Sequence, residues 1–148
     1  MRIAVDFDGT IVENQYPGIG PEKIFAIATL IEIQKQGHQL ILWTCRSGKE
    51  LNDAVEFCRN RGLIFYAVNQ DYPEEVFDNS GSRKVDADIY IDDKNLGGFA
   101  GWDRVWDFFR PDKHLDDVTQ QLKLLRINRP SFWNRLIGIF RHKTNSGQ

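Results

Sequence analysis

The chain has 148 residues, 41% of them hydrophobic and 27% charged, which excludes a disordered or fibrous protein and fits a single core. No run approaches the roughly 18 apolar residues of a membrane span, and Asp6 and Asp8 interrupt the opening where a secretory signal is apolar, so a cytoplasmic protein is expected. The net charge of −2 is split into +5 over residues 126–148 and −7 over the rest, and an acidic body argues against general nucleic-acid binding through it, so none is expected there. Cys45 and Cys58 are too few for a disulfide scaffold and too sparse for a zinc site, so free, mostly structural thiols are expected.

Residues 2–6 are a short apolar, β-branched run closed by the turn signal Asp8-Gly9, and they predict a buried strand. Residues 21–36 predict a helix with Pro21 in its first turn, an apolar stripe of Ile24, Ile27, Ala28 and Ile31, and Gly37 as its stop. Residues 39–43 follow as a second strand that delivers Thr44, Cys45 and Arg46 to the same sheet edge. Ser47 and Glu50 have capping-box spacing and start a helix that turns Leu51, Ala54, Val55 and Cys58 inward and stops at Gly62. A third strand over 63–68 leads into a polar, acidic loop from Asn69 to Ser82, and a fourth over 88–91 ends on Asp92 and Asp93. Residues 115–126 read as a further helix. Strands alternating with helices imply an α/β fold, a Rossmann-like three-layer sandwich around a central parallel sheet, with ligands outside the carboxyl ends of the strands.

Four strand ends or adjoining loops thus bring Asp6, Asp8, Thr44, Lys84, Asp92 and Asp93 to one edge. Asp6 and Asp8 are two positions apart, so in an extended chain their side chains share a face, and Gly9 then allows a sharp turn and close approach to a ligand. Four carboxylates around one crevice repel one another unless a cation is present. Mg²⁺ suits them: it takes oxygen ligands from two carboxylates, a backbone carbonyl and a substrate phosphate while keeping several waters. A carboxylate beside that ion and Lys84 stays ionised and can act as a nucleophile.

The segment Asp6-Phe7-Asp8-Gly9-Thr10, then Thr44, Lys84 and Asp92-Asp93, each near a strand end, resembles the four motifs of the haloacid dehalogenase (HAD) superfamily of phosphotransferases. The resemblance covers residues 2–95. It implies that Asp6 attacks phosphorus to form an aspartyl-phosphate, while Asp8 protonates the leaving oxygen and then activates water. Thr44 and Lys84 would hold phosphate oxygens, with Gly9 bringing turn amides close. Asp6, the Asp8 backbone carbonyl and Asp93 or Asp92 would bind Mg²⁺. The sequence departs from the pattern in two ways. Lys94-Asn95-Leu96-Gly97 stands where another acid often follows, leaving support of the metal site to Asp92 or Asn95. No large cap is inserted, so the site is expected to be open. The Ile91-Asp92-Asp93-Lys94 run also resembles the last motif of the deoxyribonucleotidase branch, a hint of nucleotide substrates.

Other residues have two readings. Arg46 either binds a substrate anion or is solvated near a helix start. The aromatics of segment 99–109, Phe99, Trp102, Trp106, Phe108 and Phe109, either belong to the core or cover the crevice. The acidic loop residues Asp71, Glu74, Glu75 and Asp78 read most simply as solvated surface. A catalytic domain over 1–128 and a basic amphipathic C-terminal helix and tail over 129–148 are expected. In that helix Phe132, Trp133, Leu136, Ile137 and Phe140 form one face over residues 131–142, to be covered by the domain itself, a second copy, a partner or a membrane surface. The leading expectation is a small capless Mg²⁺-dependent phosphatase acting on a small phosphate ester. Its rivals are a non-catalytic metal-binding module and a response-regulator receiver. The receiver is disfavoured because Asn69-Gln70, not an aspartate, follows the third strand.

Overall fold

The computed structural model describes residues 1–76 and 84–112. Among the described residues four strands and three helices follow in the order β1 (Arg2–Val5), α1 (Ala26–Lys35), β2 (Gln39–Leu42), α2 (Gly48–Arg59), β3 (Ala67–Val68), β4 (Ile89–Ile91) and α3 (Trp102–Phe109). All strand pairs are parallel, in the order β3-β2-β1-β4, with Val5 beside Leu42 on one side and Ile91 on the other. This is the expected α/β Rossmann-like arrangement. The strands are continuous apolar runs because both of their faces are buried. On one face Ile3, Val5, Leu40 and Leu42 pack with Ala26, Leu30 and Ile33 of α1, Ala54 and Cys58 of α2, and Trp102 and Phe109 of α3. The opposite face carries Ile41, Ala67 and Val85, with Trp43 and Ala87 against them. Among the described residues no helix joins that second cluster.

The chain steps outward from β1 to β2 to β3, then returns to lay β4 on the far side of β1. This reversal leaves a crevice at the carboxyl ends of β1 and β4, where Asp6 and Asp92 emerge.

Local chemistry explains where the elements depart from expectation. The first helix begins at Ala26, not near Pro21, after Phe25 turns the chain with φ 70°. Residues before it are engaged elsewhere: Glu22 bridges Val12, and the Lys23 amide donates to the Ile11 carbonyl at 2.9 Å. The buried face is therefore Ala26, Ile27, Thr29, Leu30 and Ile33, while Ile24 is 79% exposed and Ala28 is exposed. Ser47 does stand at the start of α2, but its side chain makes no capping bond. The inward face of α2 is as expected: Ala54 and Cys58 are buried, with Leu51 and Val55 against the same core. The third strand shortens to Ala67–Val68.

The aromatic segment becomes α3, and its Trp102 and Phe109 belong to the core while Phe108 stays half exposed. In the acidic loop Asp71 and Glu75 are half-buried, and each accepts from a backbone amide. Cys45 and Cys58 are both free, and burial pushes the Cys58 thiol up to about 12, so it stays an unreactive core residue. None of the described helices is long and apolar enough to cross a membrane. Asp78, the helix expected over 115–126 and the amphipathic segment 131–142 lie outside the described residues.

Candidate active site

At the carboxyl edge of the sheet an open cleft of about 570 Å³ is lined by Asp6, Asp8, Thr44, Arg46, Asp92, Asp93 and Lys94, with Asn14, Tyr16, Trp43 and Cys45 completing its walls. Asp6 follows β1, and its amide donates to the Ile91 carbonyl at 2.9 Å, which ties it directly to the end of β4. Carboxylate oxygens of Asp6, Asp92 and Asp93 consequently lie within 4.8 Å of one another. Burial pushes the Asp6 carboxyl up to about 7. The Thr10 hydroxyl, donating to its Oδ2 at 3.0 Å, and the Phe7 amide pull it down, and the neighbouring Asp92 and Asp93 push it up further.

Gly9 has φ 87°, and a Cβ there would collide with the Asp93 carboxylate, so the turn after Asp8 can approach Asp93 only because residue 9 has no side chain. The Trp102 indole of α3 donates to the buried Thr10 carbonyl at 2.9 Å and fixes the far end of the same turn.

Asp8 does not join the cluster through its carboxylate. Arg46 Nε donates to Asp8 Oδ2 at 2.6 Å and Nη2 to Oδ1 at 2.7 Å, a two-pronged ion pair. The same guanidinium donates to the Gly18 carbonyl at 2.6 Å and the Pro17 carbonyl at 3.1 Å. It lies 5.1 Å from the centre of the Phe7 ring and 5.3 Å from that of Tyr16. Arg46 is only 2% exposed, so neither sequence reading describes it: it is not solvated, and its donors face Asp8 and two carbonyls rather than a substrate anion.

Thr44 is held by Asn69, whose Oδ1 accepts from the Thr44 amide at 2.8 Å and whose Nδ2 donates to the Thr44 carbonyl at 2.9 Å. The Thr44 hydroxyl oxygen accepts from the Arg46 amide at 3.2 Å, which leaves its own hydrogen to donate into the cleft.

The expected lysine lies elsewhere. Lys84 is exposed, with its ammonium 4.9 Å from the centre of the Tyr90 ring, and it is not among the residues lining the cleft. Lys94 lines it instead, donating to Asp93 Oδ2 at 2.8 Å. That bond, with Asp6 and Asp92 nearby, holds the Lys94 ammonium above its ordinary range. Asp92 is braced by the Lys94 amide on its Oδ1 at 2.7 Å and by Asn95 Nδ2 on its carbonyl at 2.9 Å. Sequence reasoning gave no role to Asn69, Lys94 or Thr10. Asn69, a polar residue directly after a strand of the same sheet, was a detectable signal, whereas nothing local distinguished Lys94 from Lys84.

One polar atom of the cluster has no protein partner: Asp93 Oδ1 is buried and accepts no hydrogen bond. A buried carboxylate oxygen without a donor is costly, and a hard cation bridging Asp6, Asp92 and Asp93 would relieve it together with their mutual repulsion. The three carboxylates therefore fit a divalent ion of the Mg²⁺ kind.

Fold and site together define an α/β protein that gathers carboxylates at the carboxyl edge of a parallel sheet. No protein-family model and no curated protein matches the chain. Among solved structures, the conserved protein coded by a locus from Bacteroides thetaiotaomicron is 50% identical, with a TM-score of 0.70 over 80% of this chain and 96% of that one. The chain belongs to the same family as that protein.

Proposed function

We propose that this protein is a Mg²⁺-dependent phosphomonoester hydrolase of the HAD type, working through an aspartyl-phosphate on a small substrate. The observation that carries the reading is the unpartnered Asp93 Oδ1 within the Asp6, Asp92 and Asp93 cluster, beside a second aspartate, Asp8, held separately. When bound, the ion supplies positive charge to a phosphoryl group that gains negative charge in transfer. Asp6 is the nucleophile: its oxygen bonds to phosphorus as the ester P–O bond breaks. Asp8 must first be released from Arg46 and take up a proton from solvent; it then gives that proton to the leaving oxygen and takes one back from the water that next attacks phosphorus, releasing phosphate and restoring Asp6. Because Arg46 holds both oxygens of Asp8, at least one arm of that pair must open for each proton transfer. Thr44 donates its hydroxyl to a phosphate oxygen, from a position set by Asn69.

The test is a panel of phosphomonoesters, nucleoside monophosphates and sugar phosphates included, assayed after chelation and with Mg²⁺ restored. Hydrolysis that needs Mg²⁺ and falls to background in Asp6→Asn is expected, because an amide is not a nucleophile here. Near-native turnover by Asp6→Asn would overturn the covalent route. Mg²⁺ binding without turnover on any ester would leave the rival reading, a metal-binding module.

A further inference from the structure

Resting on that reading of the site, we infer that Lys94 is an exchangeable counter-ion: its ammonium occupies the carboxylate cluster when no divalent ion is bound and turns to the phosphate group when one is. The cleft is lined by four carboxylates and two cations, Arg46 and Lys94. Arg46 cannot move between partners cheaply, since it is buried and bonded to Asp8, Pro17 and Gly18 at once. Lys94 is built differently. Its side chain is 76% exposed, and among the described residues it makes one bond, from Nζ to Asp93 Oδ2, on the carboxylate whose other oxygen has no partner there.

A divalent ion held by that bare oxygen would share the Asp93 carboxylate with the ammonium. The two cations would repel each other at such separation, and the flexible lysine stem would let the ammonium leave. The displaced ammonium stays anchored one residue after Asp93 at the mouth of the same cleft. A phosphate dianion entering there needs a cation besides the metal, and Lys94 is the one that the arriving metal frees. Lys94 thereby competes with the metal in the empty site and cooperates with it in the loaded one. These are opposite effects, because the same positive charge opposes the metal and favours the phosphate.

Both effects are read without turnover. Mg²⁺ is titrated calorimetrically into chelator-stripped native protein, Lys94→Met and Lys94→Arg, and inorganic phosphate is then titrated into each Mg²⁺-saturated form. Lys94→Met is expected to bind Mg²⁺ roughly three- to fivefold tighter, the scale of losing one exposed ion pair, and to bind phosphate at least about tenfold more weakly. Lys94→Arg, which keeps the charge, is expected to return both affinities towards native. Unchanged or weaker Mg²⁺ binding by Lys94→Met would overturn the exchange, as would phosphate affinity equal to native. A protein showing both shifts but hydrolysing no ester keeps this inference and loses the hydrolase reading.

Discussion

Burial of Asp6 costs the folded chain stability once its carboxyl is ionised. Its carboxyl lies at about 7 in the native chain against 3.8 for the ordinary group, chiefly through burial, so between those values the native state holds a proton that the unfolded chain has released. Metal-free stability should therefore fall as pH rises from about 4 through 7 and stay reduced above. The displacement is worth at most about 4 kcal/mol, and solvent reaching a carboxylate in an open cleft reduces it to about 1–2 kcal/mol. In chelator at pH 8, Asp6→Asn is expected to melt higher than the native chain, with the gap closing towards pH 4. A gap independent of pH, in melts across that range, would assign the effect to something other than ionisation. Arg46 has the opposite balance. Removing it in Arg46→Ala leaves Asp8, whose side chain is only 16% exposed, without its partner and frees two carbonyls, an expected loss of about 3–5 kcal/mol in urea denaturation. Arg46→Lys keeps the charge but not the two-pronged geometry, and should fall between.

At the scale of elements, α3 matters to the site although none of its residues lines the cleft. Its first residue, Trp102, is 4% exposed, and its indole bonds the Thr10 carbonyl behind the Asp6–Thr10 turn. Trp102→Phe keeps most of the packing and removes the donor, leaving a buried carbonyl unsatisfied. A loss of about 1–2 kcal/mol is expected by denaturant unfolding, together with a weaker thermal response to Mg²⁺ because the turn that presents Asp6 is looser. A native-like response in the destabilised variant would confine α3 to packing. The late start of α1 has the same kind of cause. Pro21 and the stripe through Ile24 suited an earlier helix, but backbone bonds from Glu13 to Pro21 and from Lys23 to Ile11 hold residues 21–23 in the loop.

For the molecule as a whole, the order β3-β2-β1-β4 makes one site of residues more than eighty positions apart, because Val5 and Ile91 are neighbours in the sheet. A ligand bound only by the folded state stabilises it by about 2.7 kcal/mol at a hundred times its dissociation constant. For a chain of this size that corresponds to a rise in Tm of roughly 5–10 °C with saturating Mg²⁺. Asp93→Ala, which removes the carboxylate carrying the bare oxygen, should abolish most of the rise. Scanning calorimetry of chelator-treated protein checks this, and a native curve indifferent to millimolar Mg²⁺ would remove the metal from the site.

The sequence by itself determined the βαβαβ order from β1 to β3, the parallel sheet, the start of α2 after Ser47 and the delivery of Asp6, Thr44 and Asp92 to one edge. These follow from apolar periodicity and turn chemistry, which act between residues a few positions apart and so are written locally. The tertiary structure alone decided that Arg46 clasps Asp8 across 38 positions and that Asn69 brackets Thr44 across 25. It also decided that Lys94 rather than Lys84 lines the cleft. An arginine, an asparagine or a lysine has many possible partners in a chain. Which one it takes is set by the water that folding removes from each group and by which carboxylates and carbonyls the sheet brings within reach, and neither is a property of the neighbouring sequence.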